Sequence, residues 1–165
     1  MLPSAQTYAT WLAVFRIYTG VFWLAHGIPK LLNPHFFGPN GMMTTMITQS
    51  SADTSGFYHT FLQTVVLPNA ALVSHLVAWG ETLTGVSLLL GLLTRLGGVV
   101  GMFLPLNYFL MKGSFAVTGL GGMDISALAL SFVSVALPTG LIWGIDGAIK
   151  ASRAKQPVSG APASG

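Results

Sequence analysis

"HLVAWGETLTGVSLLLGLLTRLGG", residues 75–98, carries apolar, small or hydroxyl side chains except at His75, Glu81 and Arg95. A bilayer-spanning helix needs about 20 mostly apolar residues. The stretch reads as the end of one span and the start of the next, joined by a few residues around "TRLGG". Composition supports a membrane protein. Only 7% of the 165 residues are charged, against roughly 25% in soluble domains. Apolar residues make up 52%, too many for a soluble globule of this size to cover. Length fits one domain.

Working outward, four stretches read as spans: residues 8–32, 70–93, 96–111 and 123–143. The fold expected is all-α, an integral membrane four-helix bundle over residues 1–150. Residues 151–165, ending "SRAKQPVSGAPASG", read as a disordered cytoplasmic tail. Gly80, Gly85, Gly91, Gly97 and Gly101 sit at spacings that allow close helix approach, and packing alone accounts for them. The link between the first two spans, residues 33–69, is a long extracytoplasmic loop. Within it "MMTTMITQSSADTSG" reads as weakly structured, and "FYHTFLQTVVL" as a short interfacial helix ending before Pro68.

The N-terminus lacks the basic region of a signal peptide, since Arg16 is its first cation and lies inside the apolar run; no cleaved segment is expected. Lys150, Arg153, Lys155 and Arg95 lie near one end of the spans. This bias places both termini in the cytoplasm, in a multi-pass inner (cytoplasmic) membrane protein. These cations are too few and too local for a nucleic-acid surface. The absence of cysteine excludes disulfides, a CxxC redox pair and thiolate metal sites.

Ionisable groups at membrane depth are functional candidates by default, because a lone charge there costs about 2.5–3.5 kcal/mol. Arg16 lies about 12 Å into the first span, and Glu81 is about 18 Å from the cytoplasmic end of the second. Arg16 is therefore the expected partner of Glu81, in a pair that serves function or only fixes helix register. Arg16, Trp23 and Lys30 recur every seven residues with Gly20 and Gly27 beside them, and His26 lies close to this stripe. His26 and His75 at similar depth could bind a metal or haem or hydrogen-bond a quinone carbonyl, or be unrelated interfacial histidines; one His per helix lacks the spacing of strong metal sites, and no metal site is assigned. In the third span Pro105 frees a carbonyl, and Asn107 and Tyr108 can hydrogen-bond within the bundle. Asp124 could cap the start of the fourth span. Asp146 and Lys150 have the spacing of a helix-surface pair.

The segment "FRIYTGVFWLAHGIPKLL" resembles the opening signature of the DoxX/DoxD family, an Arg followed by Gly and a Gly-x-x-Lys. "GETLTGVSLLLGLLTRLGG" is similar to its second-span signature. "LNYFLMKG" with "GGMDIS", and "LPTGLIWGID", resemble its later stretches. The likeness covers about residues 10–150. It implies a four-helix membrane bundle and kinship with the small, quinone-linked subunit of thiosulfate:quinone oxidoreductase, which couples two thiosulfates to tetrathionate and passes electrons to quinone. Arg16, Lys30, Glu81, Arg95, Asn107, Tyr108, Asp124 and Asp146 fall on the family's polar positions.

The function expected is a membrane subunit of a quinone-linked oxidoreductase. Arg16, Glu81 and Tyr108 would be catalytic; His26, Trp23 and Asn107 would hold the quinone; Lys30 and Asp124 would contact substrate, with Lys112 as a further outer cation. No haem or flavin motif is visible, so a second protein subunit would carry electrons. Membrane lipid is the surrounding partner, and self-association is left open. The alternative is a non-catalytic scaffold or assembly protein, which glycine-lined helix faces suit equally well.

Overall fold

The computed structural model describes residues 4–52, 54–112 and 120–155. All regular structure among them is helical: α1 (Ala5–Leu32), α2 (Met42–Ser51), α3 (Gly56–Phe61), α4 (Ala70–Leu90), α5 (Thr94–Met111), α6 (Leu120–Ala136) and α7 (Ile145–Ala154). The Ser4 hydroxyl caps α1 by accepting from the Thr7 amide at 3.2 Å, satisfying one of the donors a helix start leaves open. Gly91 ends α4 in the left-handed conformation, at φ 66°.

Two continuous helical segments are long and apolar enough to cross a bilayer, Ala5–Leu32 and Gly56–Leu90. Gly122–Ala136 is apolar but shorter. Large apolar side chains point outward along these helices and α5, among them Trp11, Leu76, Leu83, Leu96, Phe103 and Phe132. Arg16, Thr19, Ser74, Glu81, Thr84 and Ser131 are buried instead. Water would penalise that much exposed apolar surface, whereas acyl chains do not.

Glycines set the helix spacing. A Cβ on Gly20 would lie 2.6 Å from the Leu89 amide nitrogen, and one on Gly85 2.8 Å from that of Leu24. The two backbones therefore touch, and α1 and α4 run antiparallel. A Cβ on Gly98 would meet the Ser131 carbonyl at 3.0 Å, so α5 and α6 are nearly as close. Leu104 packs over Gly80 between α5 and α4. The Trp23 indole donates to the Ser131 hydroxyl at 3.0 Å, joining α1 to α6.

Several expectations need correction. The segment between α1 and α4 is helical over much of its length rather than a loop. In α2, Met43, Ile47 and Ser51 form a buried stripe at i, i+4 and i+8, which the Thr- and Ser-rich composition obscured. The helix from Gly56 does not end before Pro68. Its turn widens over Leu62–Val66, with the Leu67 amide donating to the Leu62 carbonyl, and passes through Leu67–Asn69 into α4. The wider turn accommodates a proline that has no N–H to give. The fourth apolar stretch does not run to Trp143. α6 stops at Ala136, ahead of Pro138, and the chain turns through Thr139–Leu141. The segment expected as tail begins inside α7, and residues 156–165 lie outside the described residues.

Candidate functional site

Close approach of α1 and α4 creates the site. A Cβ on Gly27 would lie 2.6 Å from the Thr82 amide nitrogen. Glu81 is thereby brought within a turn of Lys30, in the last turn of α1. The Lys30 ammonium donates to both Glu81 oxygens at 2.5 Å. The Tyr108 hydroxyl, from α5, donates to Glu81 Oε1 at 2.8 Å. Lys30 Nζ also stands 5.4 Å from the Tyr108 ring centroid and 5.7 Å from that of Phe36, within cation–π range. Glu81 is 1% exposed and the Lys30 side chain 26%, so the acid is sealed while the base reaches toward the surface.

Arg16 is not the partner of Glu81. With Gly20 against Leu89 and Gly27 against Thr82, Arg16 lies about 18 Å along α1 from the level of Glu81. Depth counted from helix ends misled because α1 runs on past the end of α4. The Arg16 guanidinium instead donates to the carbonyls of Thr139, Ile142 and Trp143, at 3.2, 3.3 and 3.0 Å. Asp146 does not pair with Lys150 either. It accepts from the Leu93 amide at 2.9 Å, the Thr94 amide at 3.0 Å and the Thr94 hydroxyl at 2.9 Å, thereby capping α5. Burial pushes the Asp146 carboxyl up, but those Thr94 and Leu93 bonds and the Arg16 charge outweigh it and hold it below the usual carboxylate value. Leu93 and Trp143 are the described non-glycine residues with positive φ, 51° and 50°. Each such residue costs about 1–3 kcal/mol, and each is fixed here by a bond to a charged side chain.

A cavity of about 60 Å³ lies beside Glu81, lined by Phe22, Trp23, His26, Glu81, Pro105, Tyr108, Met123, Asp124 and Ala127. Its size suits a water molecule or two. Trp23, His26, Glu81, Tyr108 and Asp124, five of the residues singled out from sequence, meet there. Asp124 does not cap α6, because that helix already begins at Leu120; it pairs with Lys112. His26 Nδ1 lies 2.8 Å from the Phe22 carbonyl oxygen. His75 does not join it, and stacks on Phe37 with ring centroids 4.3 Å apart.

Asn107 faces a different space. A groove of about 410 Å³ runs between α2, α3, α4 and α5, with an almost wholly apolar lining that includes Met43, Leu62, Val77 and Leu104. Its polar groups are Tyr58, Asn107 and Tyr108. The Tyr58 hydroxyl lies 3.0 Å from Asn107 Oδ1 and 3.1 Å from the Asn107 carbonyl. Tyr108 lines both spaces, with its hydroxyl on Glu81. Sequence reasoning missed Tyr58, whose segment reads as an interfacial helix, and the clamp joining Arg16, Thr94 and Asp146.

The family model described as "TQO small subunit DoxD" matches residues 11–155. No curated protein and no solved structure matches the chain.

Proposed function

The chain belongs to the DoxD family, and on that premise we propose that it is the membrane subunit of a quinone-linked oxidoreductase, specifically thiosulfate:quinone oxidoreductase. In this reading α1, α4, α5 and α6 form a four-helix bundle in the inner membrane. α5, at about 27 Å, nearly matches the hydrocarbon thickness of about 30 Å. Both termini are cytoplasmic, and α2 and α3 cover the opposite end.

The groove fits a quinone. It is apolar along its length, as a prenylated ring requires, and offers Tyr58, Asn107 and Tyr108 as hydrogen-bonding groups. Bound there, a quinone supplies the two-electron, two-proton acceptor. The observation that carries the reading is the position of Tyr108, which lines the groove while its hydroxyl donates to Glu81. Tyr108 thus holds a proton at the groove wall. Glu81 orients that proton and is itself held by Lys30. The small cavity, with His26 and Asp124, gives Glu81 a polar side from which protons can be replaced. Lys30 and Lys112 are each engaged by a carboxylate, which argues for placing thiosulfate oxidation on a partner subunit. Two thiosulfates would yield tetrathionate and two electrons there.

The test is purification with and without the products of neighbouring genes, followed by quinone extraction and quinone-dependent thiosulfate oxidation. Co-purified quinone and turnover that falls about 100-fold in a folded Tyr108→Phe variant are expected. A chain that carries no quinone, shows no turnover and forms a stable complex with another membrane protein is a scaffold, and the proposal fails.

A further inference from the structure

The end of the molecule remote from the Lys30–Glu81 pair carries a second feature. Two depressions of about 400 and 420 Å³ adjoin there. They share Leu93, Leu141 and Asp146 as walls. Arg95 borders the first, and Lys150 and Arg153 border the second. We infer that this corner binds the headgroup of an anionic phospholipid, with the three cations on its phosphate and the leucines against its acyl chains.

Three observations carry this. Among the described residues, the cations are not paired with the acid at the corner. Asp146 is the acid within both depressions, and its oxygens are taken by the Leu93 and Thr94 amides and the Thr94 hydroxyl. Among the described residues, none of Arg95, Lys150 and Arg153 forms an ion pair. The α7 sequence places Asp146, Lys150 and Arg153 at i, i+4 and i+7, one helical face, and the depression runs along it. The floor is apolar and outward-facing, with Leu93 60%, Leu96 59% and Leu141 40% exposed. A soluble anion has no use for that floor, whereas a lipid meets both surfaces at once. The corner is also rigid, because Arg16 and Asp146 tie the 139–143 turn and the start of α5 together. The site is therefore formed before the ligand arrives, which lowers the ordering cost of binding.

The test uses the full chain, purified in a neutral detergent. Lipid retention is read by native mass spectrometry, and protection by thermal melting, with dioleoyl phosphatidylglycerol against dioleoyl phosphatidylcholine. The wild type retains the phosphatidylglycerol in preference. The preference falls about fivefold for each cation replaced in the series R95Q, K150Q and R153Q. All three side chains are exposed, so the variants keep the fold; the single substitutions suffice should the triple variant purify poorly. Equal retention of the two lipids, or unchanged preference in the variants, overturns the proposal. Inorganic phosphate protecting as well as the lipid would make this a free-anion site. Equal protection by a hexaglutamate peptide would make it a surface for an acidic protein segment. Either result also overturns it.

Discussion

Lys30 and Glu81, 51 residues apart in the chain, meet with the ammonium 2.5 Å from both carboxylate oxygens. The pair is asymmetric, because the lysine side chain is partly exposed whereas the glutamate is buried. Lys30→Met leaves a buried charge without its counterion, a loss of about 3–5 kcal/mol by comparison with other broken buried pairs. Glu81→Gln costs less, since the lysine stem can extend toward the interface. The double variant recovers part of the Lys30→Met loss. Melting of the four proteins in one detergent measures the cycle, and a Lys30→Met protein as stable as wild type would sink this account.

Gly20 and Gly80 predict opposite responses to the same added methyl group. At Gly20 the Cβ would press on Leu89 backbone atoms at 2.6 and 2.9 Å, which cannot rotate away. At Gly80 the nearest atom is Leu104 Cδ1, in ordinary contact at 3.5 Å. Gly20→Ala should destabilise by about 1–3 kcal/mol, and Gly80→Ala by little or nothing. Thermal melts of the two variants decide between this packing and a looser one.

Arg16 reaches three carbonyls at once through its planar fork. Lysine keeps the charge but cannot reproduce that geometry. Arg16→Lys should therefore weaken the hold on the 139–143 turn and raise proteolytic cleavage there, and Arg16→Gln should do so more. If Arg16→Gln leaves cleavage unchanged, Arg16 is not the clamp.

Asp146 makes stability pH-dependent in a defined direction. Its carboxyl is held below the usual value in the folded chain. The unfolded group titrates near pH ~4. The stabilisation is thus complete above about pH 4 and disappears as pH falls through the lower folded value. Asp146→Asn should cost about 1–2 kcal/mol at neutral pH, as loss of a helix cap does. It should also remove the corresponding part of the acid-induced fall in melting temperature. A variant with an unchanged acid profile would exclude this role.

Much of the helical order was legible because long apolar runs broken by Gly and Pro leave few alternatives. The start of α5 and the end of α4 fell within three residues of expectation for that reason. α2 was hidden because Thr and Ser dominate its composition and only Met43, Ile47 and Ser51 reveal its face. The convergence of Trp23, His26, Glu81, Tyr108 and Asp124 was partly legible, since each is polar or aromatic within an apolar stretch. The partner of Glu81 was not. Pairing depends on the axial register of α1 against α4, which Gly20 and Gly27 set by contact and which helix ends do not report. Asp146 acts on residues about fifty positions upstream, and no local spacing could have signalled that.

The widened turn at Leu62–Val66 contains, in effect, one residue more than a regular α-helix would need. Deleting one residue there would let the hydrogen-bond ladder resume its ordinary step and rotate everything before it by about 100° relative to α4. Tyr58 would swing away from Asn107, and the wall of the groove that it helps to close would part. Chain length at this point therefore meters the phase between two ends of a single rod, and a change of one residue would open the groove without touching any side chain that lines it on α4 or α5.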